Sequence, residues 1–325
     1  MKKIERIQKA VYTVAVLILL FVICYSGLQI LESTVLSPEQ PEEDGRVSKT
    51  VFRDGISYYP RQDITVIMLL GIDESGPVKA SGSYNNTGEA DVIVLVICDE
   101  KNEQIRLLNL NRDTMLKIPV LSLDGRQAGT ITGQLALSHT YGSGLEDSCE
   151  NTRKAVSDFL KGIRIDHYLS VNMDAIPILN DAVGGVRVTV TDDFSGIDPA
   201  ISMGEHVLKG EQATTFVRSR KNLGDQLNIS RLERQNRYLE AFLQELHENN
   251  SESFVLSVYE QISPYVVTDC SANLISSMVR RYEEYAITDA LSLTGDNIQG
   301  EEYYEFYPHE DALENLILEL FYAPK

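Results

Sequence analysis

Apolar residues in this chain fall into runs of two lengths, and the lengths predict different elements. One run, Ala10 to Leu31, holds 22 residues without a charged side chain. Roughly 20 such residues cross the hydrocarbon core of a bilayer as a helix. The other runs are short: Ile64–Leu70 (ITVIMLL) stops at Gly71, DVIVLVI is opened by Asp91, and Gln104–Leu110 reads as a third strand. Strands are also predicted near His167–Val171 and Arg187–Val190. Helical spacing falls at Gln134–Tyr141, Ser148–Leu160 and Asp174–Ala182. Near-continuous apolar strands alternating with helices predict an α/β sheet covered by helices on both faces. The last quarter adds helices at about Ala272–Glu284 and Asp311–Tyr322 around a Tyr-rich strand, Glu302–Tyr307.

This pattern divides the chain into a tip (1–9), a transmembrane helix (10–31), a linker (32–62) and one large domain (63–325). The linker carries Ser37-Pro38, Pro41 and an acidic cluster, and suits a loose stalk. Residues Glu74 to Glu89, rich in Gly, Ser and Asn, read as a long mobile loop. There is no internal repeat.

Charge orients the span. Lys2, Lys3, Arg6 and Lys9 precede it, while Glu32, Glu39, Glu42, Glu43 and Asp44 follow. The positive-inside rule places the first nine residues in the cytoplasm and everything after Leu31 outside the cell membrane. A cleaved signal peptide is the rival reading, but its apolar region is usually about 7–15 residues and ends at a small-residue site, which Leu31-Glu32-Ser33 is not. A retained signal-anchor is favoured. The tip has four cations and Glu5, a net of +3, so the rest carries −19 − 3 = −22. Such a body lacks the broad positive field that nucleic acid needs, which excludes it as a partner. Cys149 and Cys270 fall outside the membrane, where a disulfide between them is feasible, and Cys98 reads as reduced and buried.

Against that acidic background, FVRSRKNLGDQLNISRLERQ gathers Arg218, Arg220, Arg231, Arg234 and Gln235. Guanidinium groups bind phosphate bidentately and stay charged at any physiological pH. A run of charge is more often a solvated helix face. On a helix starting near Ile229, however, Leu232, Leu239, Phe242, Leu243 and Leu246 form the apolar stripe, and Arg231 and Gln235 sit at its edge. Arg234 falls farther round and is the weaker candidate. The cluster predicts a pocket for a compact, strongly anionic ligand.

Carboxylates cluster at strand ends. Asp73 follows one strand, Asp91 opens the next, and Gln104–Leu110 runs into Asn111-Arg112-Asp113-Thr114. Ligands of open α/β sheets sit outside the carboxyl ends of strands, so these residues read as a metal-plus-pyrophosphate site, with oxygen ligands suited to Mg²⁺. Each Asp alone reads equally well as a turn residue or helix cap. The chain has no GxxxxGK[ST], HExxH, GxSxG or paired CxxC, which removes the P-loop, zinc-protease and serine-hydrolase readings.

An ordered series of segments carries a resemblance. LLGID at Leu69–Asp73, ADVIVLVI at Ala90–Ile97 and LLNLNRDT at Leu107–Thr114 come first. GIRIDHYLSVNMDAI from Gly162, LNDAVGGVRVTV from Leu179, LKGEQATTFVRSRK from Leu208 and ISRLERQNRYLEAFLQEL from Ile229 follow. Behind one N-terminal span, this order resembles the LytR-CpsA-Psr family of membrane-anchored cell-wall glycopolymer transferases, most closely over Ile64 to Leu246. The resemblance implies a central mixed β-sheet and a hydrophobic tunnel for a polyprenyl tail. It implies that Arg112, Arg218, Arg220, Arg231 and Gln235 hold a polyprenyl-linked pyrophosphate. Asp91 matches the family carboxylate associated with Mg²⁺ and catalysis, with Arg112 beside it, and Asp73 is a second candidate metal ligand. One departure stands out: Glu89-Ala90 precedes Asp91 where the family has Arg-Ser.

The function implied is Mg²⁺-dependent phosphotransfer at the outer membrane face. A glycopolymer, teichoic acid or capsular polysaccharide, would pass from polyprenyl diphosphate to a peptidoglycan hydroxyl and end in a phosphodiester. Two alternatives stay open: a non-catalytic polyprenyl-phosphate-binding regulator, and a polyprenyl pyrophosphatase.

Overall fold

The structure is a computed structural model that describes residues 50–122, 124–219, 234–235, 237–238, 241–242, 245, 257–258, 261–271, 274, 277–278, 281–282, 285–288, 290–300 and 303–324. The tip, the span at 10–31 and most of the linker lie outside the described residues, as do Arg220 and Arg231. Among the described residues no helix is long and apolar enough to cross a membrane. Where the hydropathy pattern treats 63–325 as one domain, the contacts divide the chain into two compact units. The first holds 173–265 and 271–286; the second holds 30–172, 266–270 and 287–325.

The second unit is built on a mixed sheet. Five of its seven strands are β3 (Ile64–Ile72), β4 (Ala90–Asp99), β5 (Gln104–Leu110), β8 (His167–Asn172) and β11 (Val266–Thr268), in the order β11-β8-β3-β4-β5. β3 lies parallel to β8 and antiparallel to β4, and β4 is antiparallel to β5. All but two residues of β4 are buried, as a central strand covered on both faces requires. The helices α1 (Glu146–Phe159) and α4 (Glu310–Phe321) supply Cys149, Ala155, Val156, Leu313, Ile317 and Leu320 to the same core. Gln134–Tyr141 folds as a 3-10 helix over Leu135–Thr140 instead of a full helix.

Two parts of this unit had no legible pattern. The strands β1 (Val51–Arg53), β2 (Ile56–Pro60) and the C-terminal strand Tyr322–Pro324 form a small separate sheet. β6 (Met115–Leu121) and β7 (Gln127–Gln134) make a hairpin, in which six of the eight β7 residues are exposed. QAGTITGQ therefore shows no buried face to betray it. Nor is the loop 74–89 merely loose. Asn86 Nδ2 donates to the carbonyls of His139 (2.9 Å) and Gly142 (2.9 Å) and to Ser148 Oγ (3.1 Å), which ties the loop to the first turn of α1. Cys98, Cys149 and Cys270 form no disulfide, so the pairing of Cys149 with Cys270 is not realised; Cys149 is fully buried, whereas Cys270 is half-buried.

The first unit contains α2 (Ala175–Ala182), the hairpin β9 (Val186–Val190) and β10 (Gly204–Leu208), and α3 (Glu211–Arg218). β9 alternates buried and exposed positions, as VRVTV predicts for a half-covered strand. Phe194 stacks on Phe216 at 5.6 Å, and Tyr238 stacks on Phe242 at 6.2 Å. The described residues between 234 and 245 are helical, with Phe242 buried as the apolar stripe requires; Leu232, Leu239, Leu243 and Leu246 lie outside the described residues.

Candidate active site

Strand direction gathers the first set of candidates. β4 begins where β3 ends, and β5 ends where β4 begins, with Ile93 opposite Leu110. Asp73, Glu89, Asp91 and Arg112 therefore meet at one end of the sheet. Asp73 N–H donates to the Glu89 carbonyl at 2.9 Å, which continues the β3–β4 ladder by one bond.

A β-bulge singles out Asp91. Gly71 pairs with Val92 and Ile72 with Ala90, so Asp91 is the extra residue in β4. Bulges bend a strand and re-aim a side chain. Here Asp91 points to Arg112 Nη1, in an ion pair whose two side chains are 7% and 14% exposed. Arg112 is itself set by a turn: Asn111 Oδ1 accepts the Asp113 N–H at 2.9 Å, and the Asn111 carbonyl accepts Thr114 N–H (3.0 Å) and Oγ1–H (2.6 Å).

Two more carboxylates surround this guanidinium. Glu89 binds Arg112 Nη2 at 2.5 Å, and Asp113 lies 3.4 Å from Nε. Glu89, where the resemblance implies an arginine, thus occupies a neighbouring arginine. Gln134 Nε2 donates to Asp113 Oδ1 (2.9 Å) and to the Tyr304 carbonyl (2.8 Å), fixing Asp113 from the hairpin. Among the described residues, three carboxylates face this one cation.

The loop leading to Glu89 is held by groups that no motif marked. His139 is buried, and its Nδ1 lies 2.8 Å from the Gly88 carbonyl, which makes Nδ1 the protonated nitrogen. Burial pushes its pKa below the ordinary 6.5. Gly88 has no room for a side chain, since a Cβ there would lie 2.8 Å from Ile72 Cγ2.

The second set of candidates belongs to the first unit. Arg218 is the exposed last residue of α3. Gln235 Nε2 donates to the Val217 carbonyl at 3.3 Å, which seats Gln235 beside that turn. Arg234, the weaker candidate on the helical wheel, is 1% exposed. Its Nε donates to the Phe216 carbonyl at 3.1 Å, Nη1 pairs with Asp192 at 3.0 Å, and Nη2 reaches the Ser219 carbonyl. Its donors serve the chain itself, so it is structural. Arg237, which drew no attention as a sequence position, bonds the Thr189 carbonyl and Thr191 Oγ1 at 3.1 Å each.

Residues 29–320 match the model of the LytR_cpsA_psr family. The polyisoprenyl-teichoic acid–peptidoglycan teichoic acid transferase TagU of Halalkalibacterium halodurans is 27% identical over 292 residues, covering 88% of this chain and 86% of the relative. The crystal structure of B. subtilis TagV superposes with a TM-score of 0.60 at 25% identity, over 80% of this chain and 96% of that one. The structure of TagT bound to LIIa-WTA shares the fold, with a TM-score of 0.60 at 22% identity over 88% of this chain and 98% of that one.

Proposed function

The chain belongs to the LytR_cpsA_psr family, and from that premise we propose that it transfers a glycopolymer from a polyprenyl-diphosphate carrier to peptidoglycan. The similar TagU and TagV proteins carry teichoic acid transferase names, which supports a teichoic-acid-type or related anionic polymer as cargo. The observation that carries the reading is Asp91, re-aimed by the bulge onto Arg112 at the carboxyl end of β3 and β5.

Arg112, Arg218, Arg220, Arg231 and Gln235 are the proposed pyrophosphate ligands, by correspondence with the family. Arginines contribute by stabilising charge that develops on the phosphate oxygens in the transition state. A peptidoglycan hydroxyl attacks the glycan-linked phosphorus, and its proton passes to a carboxylate, for which Asp91 is the first candidate. The new O–P bond forms as the bond to the lipid phosphate breaks, and lipid monophosphate leaves. The product is a phosphodiester between polymer and wall.

We propose Mg²⁺ as the cofactor from the residue types at this end of the sheet. Asp91, Glu89 and Asp113 crowd one guanidinium with more negative charge than it neutralises, and hard carboxylate oxygens are the ligands this ion prefers. We propose Asp91 and Asp73 to hold it, and bound there it would supply electrostatic stabilisation of the phosphates. The span at Ala10–Leu31 is proposed to anchor the protein with the catalytic units on the outer face.

One observation favours a second reading. Glu89 engages Arg112, a proposed phosphate ligand, which suits a protein that binds polyprenyl phosphates weakly and regulates without turnover. Full-length protein in detergent, given Mg²⁺, lipid-linked donor and peptidoglycan, separates the possibilities. Transfer of polymer to the acceptor supports the transferase. Binding without product supports the regulator, and released polymer without acceptor linkage supports a pyrophosphatase.

A further inference from the structure

Far from the Arg112 site, three side chains of different chemistry converge in the second unit. His167 opens β8, while Asp269 and Cys270 follow directly on β11. These strands pair antiparallel, with Thr268 opposite Leu169, so the residues after β11 come level with the start of β8. The His167 Nδ1, an Asp269 oxygen and the Cys270 Sγ all lie within 4.8 Å of one another. Ile67 of β3 is opposite His167, whereas Ile72, at the Arg112 end, is opposite Asn172. Five residues of strand separate the two places, about 17 Å.

We propose that His167, Asp269 and Cys270 bind a borderline-soft divalent metal ion, zinc being the best match, with a fourth position open to water. Tetrahedral zinc takes N at about 2.0–2.1 Å, O at about 2.0–2.2 Å and S at about 2.3 Å, which sets N and O roughly 3.4 Å apart and S and O roughly 3.6 Å apart. The corresponding separations are 3.6 Å from Nδ1 to Asp269 Oδ1 and 3.7 Å from Sγ to Oδ1. Both separations lie within a few tenths of an ångström of the tetrahedral values, and the remaining pair, Nδ1 and Sγ, lies within 4.8 Å. His167 Nδ1 is buried and faces the Asp269 carboxylate and the Cys270 sulfur. Thiolate, imidazole and carboxylate together select zinc-like ions over Mg²⁺ or Ca²⁺. Two negative ligands would neutralise the ion.

The groups behind the ligands are already in place. Asp269 Oδ1 accepts the Tyr168 N–H at 3.0 Å, and Asp269 Oδ2 faces Arg153 Nη1 at 3.8 Å, so the carboxylate presents one oxygen to an ion. Cys270 N–H donates to Thr268 Oγ1 (3.2 Å), whose own proton goes to the Tyr168 carbonyl (2.7 Å). Such outer partners orient metal ligands. The ion would fasten the short strand 266–268 to β8 where the chain returns from residues 173–265. The imidazole and thiol must give up their protons on binding, so affinity weakens as pH falls.

The test uses full-length protein in detergent, stripped with chelator and titrated with Co²⁺ and Zn²⁺. The expected result is one equivalent bound, a thiolate-to-cobalt charge-transfer band that Zn²⁺ bleaches, and a higher Tm in Zn²⁺. Cys270→Ser should abolish the band, and His167→Gln should weaken Zn²⁺ binding by more than the roughly 10–100-fold that loss of an outer partner brings. A wild-type chain with no cobalt–thiolate band overturns the proposal, as does a band that survives Cys270→Ser.

Discussion

Arg112 and Arg234 are both arginines held mostly out of solvent, and their surroundings teach opposite things. Among the described residues, Arg234 meets one carboxylate, Asp192, and two backbone carbonyls, those of Phe216 and Ser219, all within its own unit. Arg112 faces three carboxylates, Glu89, Asp91 and Asp113, and remains 14% exposed. A matched guanidinium is part of the frame. A guanidinium crowded by carboxylates is the one proposed to change partners when a cation or an anionic ligand arrives.

The sharpest way to break that comparison is to remove charge on each side. Asp91→Asn should lower polymer transfer by roughly 10²–10⁴-fold, the range of positioned acid–base groups, while donor affinity changes little. Single-turnover transfer by the full-length variant checks this, and full activity would remove Asp91 from the chemistry. Arg234→Ala should destabilise the protein by about 3–5 kcal/mol, since it strands Asp192 and leaves two carbonyls unpaired. Its urea midpoint should fall while the midpoint of Arg218→Ala stays near wild type. A stable Arg234→Ala chain with weakened donor binding would make Arg234 a ligand after all.

Smaller effects sharpen the contrast. Arg112→Ala and Arg218→Ala should each weaken donor binding by about 1.5–3 kcal/mol, the scale of a hydrogen bond to a charged group. Equilibrium binding of a lipid-diphosphate analogue reads this, and an unfolding loss as large as that of Arg234→Ala would make either one structural. Glu89→Gln should tighten the same binding by about 0.5–1 kcal/mol, because it frees Arg112 from a partly exposed pair, and the gain should shrink with salt. Weaker binding would instead make Glu89 a ligand for a metal. The smallest effect belongs to His139. Burial depresses its folded pKa below 6.5, so the unfolded chain takes up the proton first. Its stabilisation is whole above that value and is lost as pH falls toward the folded pKa. The wild-type urea midpoint should therefore drop from about pH 7.5 to about pH 5.5 more steeply than that of His139→Gln.

Legibility followed burial. The strands at 64–72, 90–99 and 104–110 declared themselves because burial on both faces leaves few polar positions. β7 stayed hidden because its residues face solvent, where composition is unconstrained. Among site residues, Asp91 and Arg112 could be placed at strand ends from the order of elements. The helical wheel ranked Arg234 low as a ligand, which agrees with its burial, but it could not supply the partner 42 residues away. Asn86, Gln134 and His139 carry no motif, and each acts through a contact distant in sequence.

The sequence by itself determined the kinds of element, the acidic body behind a cationic tip, the family, and which residue types stand at the ends of the strands. Those properties depend on local periodicity and on composition, which the order of residues contains directly. Only the tertiary structure decided that Asp91 is a bulged residue, that Glu89 and Asp91 share one arginine, that Cys149 and Cys270 stay apart, and that Cys270 meets His167 instead. Each depends on strand register and on pairing between distant segments. A slip of one residue would turn the strand residues among them, Asp91 and His167, to the opposite face of the sheet.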